Sequence, residues 1–165
     1  MGIILISPHE ENLSGPVVFL AGPIQGAPDW QGDAIAELSK NQSIDIISPR
    51  AARDERVEMT DEEIVSQAKW QATYIQKTIT DGVFLCFFPK AIEENAQYAQ
   101  ESLLLLGTII AKVQTQSVFV GIEEGFANRH AIVSLLMSHY PSLVIYTTLQ
   151  SLCDGVLRYI RTQYI

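Results

Sequence analysis

The sequence has few cysteines, few positive charges and no long apolar run, and each shortage removes a class of protein. Two cysteines in 165 residues, Cys86 in an apolar stretch and Cys153 in the last helical one, do not make a disulfide scaffold, so a reduced cytoplasmic pair is expected. The 11 Lys and Arg against 19 Asp and Glu leave a net charge of -8. That balance repels a phosphate polymer and offers no basic stripe to nucleic acid or to an anionic membrane surface. The longest apolar stretch, LLLLGTIIA, falls far below membrane-spanning length, and the opening IILI is too short and too poor in basic flanks for a secretory signal. Gly2 meets one requirement of a myristoylation start, but Ile6 stands where that motif has Ser or Thr. There is no GxGxxG, no GK[ST] and no GxSxG. His9, His130 and His139 are scattered and neither cysteine has a partner at ligand spacing, so neither a metal nor a cofactor is expected.

What is present is an alternation of strand and helix. Residues 3–7 (IILIS) form a short apolar run, and a polar connection leads into VVFLAG at 17–22, where the core of a single domain over 1–165 is expected to start after a 16-residue extension. A helical pattern with Asp29 as cap follows at 29–41, then a strand IDIIS at 44–48. Thr60 stands three residues before Glu63 in TDEEIVSQAKWQATYIQKTIT, which reads as a capping box opening a helix of about five turns. GVFLCFF at 82–88 is apolar without alternation, as befits a strand inside a parallel sheet covered on both faces. Helix at 98–113, strand at 117–121, helix at 128–140, strand at 143–148 and a closing helix at 151–164 complete the pattern. Five strands and five helices in alternation predict a doubly wound parallel five-stranded sheet with helices on both faces. Such sheets bind ligands beyond the carboxyl ends of their strands, near a switch in strand order, which directs attention to residues 21–30, 48–56, 88–100 and 121–129.

In the first of these segments Gly22 and Gly26 permit close backbone approach, while Pro23 and Pro28 stiffen the chain around them. Trp30 either stacks on a base or sugar or packs on the sheet. Arg50, Arg53 and Arg56 follow the second core strand, and each suits either pairing with a ligand phosphate or carboxylate or balancing Asp54 and Glu55. Among the acids, Asp81 precedes the central strand and Glu93, Glu94 and Glu101 follow it. A carboxylate in a partly dry crevice serves as nucleophile or general base, whereas Glu93 and Glu94 read as solvated loop residues; Glu123 and Glu124 are open to both readings.

The run VFLAGPIQGAPDWQ, then ISPR, then TDEEIVSQAKWQATYIQ leading into TDGVFLCFFP, then LLG within a helix, then SVFVGIEEGF resembles the nucleoside 2-deoxyribosyltransferase-like family from residue 17 to residue 160. The resemblance implies a flavodoxin-like fold and cleavage or transfer at the N-glycosidic bond of a deoxynucleoside or its monophosphate. It implies that Ala21, Gly22, Pro23, Ile24, Gly26 and Trp30, with Pro49 and Arg50, line the nucleoside pocket, and that the chain forms a homodimer or larger homo-oligomer. The family's nucleophile is the Glu of Glu-Leu-Gly, and this chain has Leu105, Leu106 and Gly107 there. A family Trp-Glu pair is here Trp70 and Gln71. Glu101 lies four residues before Leu105, one turn and about 6 Å nearer the helix start. Glu101 and Asp81 are therefore the candidate acids if the protein is an enzyme. The alternatives are a nucleoside or nucleotide sensor without the nucleophile and a partner-binding protein using the leucine-rich helix at 103–106.

Overall fold

The computed structural model describes residues 2–41, 43–50, 58–93 and 95–164, so the expectations for Arg53, Arg56 and Glu94 fall outside the described residues. Strands β1 (Ile4–Ile6), β2 (Val17–Ala21), β3 (Asp45–Ser48), β4 (Gly82–Phe88), β5 (Val118–Ile122) and β6 (Ile145–Tyr146) form one sheet. Its order is β1-β3-β2-β4-β5-β6, and every pairing is parallel. Without β1 this is the flavodoxin-like winding, with its switch between β2 and β4. All five residues of β2 and six of the seven in β4 are buried. Both strands carry side chains into apolar layers above and below the sheet, which is why neither alternates.

Helices α1 (Trp30–Leu38) and α5 (Leu149–Tyr164) cover one face, where Trp30, Ala34, Leu38, Leu152 and Val156 meet Val18, Leu20 and Leu85. Helices α2 (Asp61–Asp81), α3 (Gln100–Lys112) and α4 (Arg129–His139) cover the other. There Trp70, Tyr74, Leu106 and Ile109 meet Phe19, Phe84 and Cys86. The expected capping box is formed: Glu63 N donates to Thr60 Oγ1 at 3.2 Å and Thr60 N donates to Glu63 Oε2 at 2.8 Å. Asp29 caps α1 through Gly32 N at 3.1 Å. No helix among the described residues is long and apolar enough to cross a membrane. Both cysteines are free and buried, and burial pushes each thiol up to about 12.

The five-stranded expectation is corrected to six. Residues Ile4–Ile6 pair with Ile46, Ile47 and Ser48 of β3, and the carboxylate of Asp45 fastens both ends of the segment before the core. It accepts from Ile3 N at 2.8 Å, Ser14 N at 2.9 Å and Gly15 N at 2.8 Å. Between those ends, Trp70 Nε1 donates to His9 O at 2.7 Å and Glu11 N donates to Tyr74 Oη at 3.1 Å. The three-residue strand is held by backbone pairing and by a carboxylate on another strand, neither of which leaves a local pattern.

Candidate functional site

Because all strands run the same way, one rim of the sheet collects their carboxyl ends, at Ala21, Ser48, Phe88 and Ile122. The loop after β2 starts with a close approach: a Cβ on Gly22 would overlap the carbonyl oxygen of Phe87 and lie 2.7 Å from the Trp30 ring. Trp30 is 2% exposed and stands edge-on to Phe87 at 5.7 Å. Its indole N–H donates to Pro23 O at 2.9 Å, and the buried Gln31 amide donates to the same oxygen at 3.3 Å. Trp30 is thus packed under the loop, holding residues 22–29 against the sheet. Arg50 braces the far end, with Nη1 donating to Pro28 O at 3.2 Å and to Gln31 Oε1 at 3.0 Å and lying 3.6 Å from Asp29. The neighbouring Pro49 O accepts from Gln67 Nε2 at 2.8 Å.

The loop after β4 meets this wall directly. Ile92 N donates to Gly26 O at 2.8 Å. Gly26 adopts φ +72, and a Cβ there would stand 3.4 Å from the Tyr98 ring. A left-handed conformation costs an L-residue roughly 1–2 kcal/mol, so glycine is the residue suited to this point. Tyr98 Oη donates to Pro89 O at 2.9 Å, and its ring stands 5.9 Å from that of Phe126. Burial, with a smaller part from the Glu123 charge, pushes the Tyr98 hydroxyl up to about 12, so it stays a donor. Glu123 ties in the loop after β5 by accepting from Lys90 N at 2.6 Å. The described residues of the rim segments named from the sequence therefore meet at one end of the sheet.

The two candidate acids do not meet. Asp81 is the last residue of α2 and directly precedes β4, whose first residue pairs with Val17 at the start of β2. It lies at the amino rim, a seven-residue strand away from the carboxyl rim, or about 20 Å. Glu101 is in the first turn of α3 and exposed, about 140° around the helix from the buried Leu106 at 100° per residue. Leu105, on the same flank one turn on, is half-buried and packed against the α2–α4 side of the core. Gln71 is half-buried beside Trp70. Among the described residues no group of three or more His, Cys, Asp or Glu is placed to hold a metal ion.

Sequence reasoning missed Tyr98, Gln31 and the Lys90–Glu123 link. Tyr98 reads as the first residue of a helix, but α3 begins only at Gln100, after Ala99 at φ 62. A left-handed alanine leaves no mark on the sequence. The Gln31 amide is spoken for by a backbone carbonyl, a partnership visible only in three dimensions.

No curated protein matches the chain. A family model described as nucleoside 2-deoxyribosyltransferase like matches residues 15–126, which takes in β2 through β5 and three of the four rim segments entirely. With more than half of its length inside that match, the chain belongs to the nucleoside 2-deoxyribosyltransferase-like family.

Proposed function

We propose that this protein binds a deoxynucleoside or deoxynucleotide at the carboxyl rim, between the loops after β2 and β4, without the covalent glycosyl transfer of its family. The observation that carries this is Leu105. At the position where the family has its nucleophilic Glu, a leucine is packed against the core, and an alkyl side chain can neither attack an anomeric carbon nor hold a proton. The neutral Gln71 after Trp70 points the same way. Small ligands suit a net charge of -8, whereas a nucleic-acid polymer does not. A cytoplasmic homodimer or larger homo-oligomer belongs to the same reading, and the exposed Leu104 and Leu135 of α3 and α4 supply apolar surface for such an assembly to cover.

One observation favours a second reading, cleavage or transfer of the N-glycosidic bond. Glu101 stands at the rim end of α3, one turn from Leu105 on the same flank. Against it stands the strictness of covalent catalysis, in which an error of about 1 Å can cost 100-fold. Asp81, on the opposite rim, has no part in either reading.

Calorimetry with a panel of deoxynucleosides and their monophosphates, followed by chromatography of the same mixtures, separates the two. The expected result is saturable binding with no free base released. Base release by the wild type that disappears in Glu101→Gln would replace the sensor with the enzyme, and no binding to any member of the panel, by the wild type or by Tyr98→Ala, would remove both.

A further inference from the structure

We infer that Tyr98 is the gate of the switch-point crevice, a ring of the chain itself lying where an entering nucleobase must pass. The inference rests on the reading of that crevice as the ligand site. Among the partly buried hydrophobic residues described, Tyr98 alone packs against both apolar clusters, the one on the α1–α5 face and the one on the α2–α4 face. A side chain reaches both faces of a sheet only by passing around its border. Tyr98 passes around the carboxyl end: its hydroxyl is bonded to Pro89, the residue after β4, and its ring lies against Gly26 of the loop after β2. These are the two strands between which the strand order reverses, the place where folds of this kind take their ligands.

Opening has only local contacts to break. One neutral hydrogen bond, the tilted contact with Phe126 and partial burial retain the ring, and the Ile92–Gly26 bond joins its loop to the opposite wall. Next to Tyr98, Ala99 is kept at φ 62, a conformation that opening of the loop would relieve. The ligand-competent state is then a fraction of the population, and apparent affinity falls by that fraction.

Stopped-flow binding of thymidine 5′-monophosphate and deoxyadenosine 5′-monophosphate to wild type, Tyr98→Phe and Tyr98→Ala tests the gate. In the wild type the observed rate should level off as ligand increases, limited by opening. Tyr98→Ala should associate about tenfold faster without that plateau, and Tyr98→Phe, which keeps the ring and loses its hydroxyl bond, about fivefold faster. Binding by Tyr98→Ala where the wild type shows none supports the gate equally. Equal rates in all three overturn it and leave the crevice reading standing. No binding by wild type or by either variant removes the crevice reading and the gate with it. Should Tyr98→Ala fail to fold, the comparison of Tyr98→Phe with wild type decides alone.

Discussion

Gly22→Ala is expected to destabilise the protein by about 3 kcal/mol and to lower its melting temperature by about 6–12 °C. The added methyl would enter space already held by the Phe87 carbonyl and by the Trp30 ring, 2.7 Å away. Neither neighbour can give way cheaply. Phe87 belongs to β4, hydrogen-bonded to strands on both sides, and Trp30 is pinned by its bond to Pro23 O. Relief has to come from lifting residues 22–29 off the rim, which breaks the Trp30 and Gln31 bonds to Pro23 and draws Gly26 away from Ile92. Gly107→Ala is the matched control: nothing lies within 4 Å of its Cβ position on the exposed side of α3, and a helical alanine there should stabilise by about 0.5–1 kcal/mol. Thermal unfolding followed by circular dichroism reads both. A fall of less than about 2 °C in Gly22→Ala would mean that the rim loop yields freely and that Trp30 does not hold it.

The parts of this architecture that were legible beforehand are those written in local patterns. The unbroken apolar run of β4 announces a strand covered on both faces, and Thr60 with Glu63 announces the start of α2, because each pattern is the direct cause of the element. Gly22 and Gly26 in a Pro-rich loop after a buried strand were enough to mark the rim wall. Asp81 shows a different limit. It is adjacent to the central strand in sequence, but in a parallel sheet the residue before a strand stands at the amino rim and the residue after it at the carboxyl rim, so adjacency alone placed it at the wrong end. Trp30 was undecided between stacking and packing because an indole suits both, and only the tilt against Phe87 and the Pro23 bond separate them. Tyr98 and β1 depend on partners at long range. The first needs the left-handed turn at Ala99, and the second needs a carboxylate in β3 that reads, in IDIIS, as one polar residue interrupting an apolar run.

That carboxylate should prove the most costly polar side chain to remove. Asp45 is 2% exposed and accepts three backbone N–H groups, those of Ile3, Ser14 and Gly15, between 2.8 and 2.9 Å. Bonds to a charged acceptor contribute about 1.5–3 kcal/mol each, and unpaired buried donors carry their own desolvation penalty. The three share one group and part of the segment can rehydrate, so Asp45→Ala is expected to lose about 4 kcal/mol in urea unfolding, less than the sum. Asp45→Asn preserves the shape and one acceptor oxygen but turns an amide NH₂ toward N–H donors, and a loss of about 2 kcal/mol is expected. The consequences extend to the rim. With β1 unpaired, the contacts that residues 7–11 make with Gln67, Trp70 and Tyr74 loosen, and Gln67 is the residue bonded to Pro49 O, one position before the Arg50 that braces the loop after β2. Limited proteolysis should then cut between β1 and β2 in Asp45→Ala under conditions that leave the wild type whole. A loss below about 1 kcal/mol with unchanged proteolysis would show that the strand pairing with β3 suffices, and that Asp45 is a bystander to the segment it contacts.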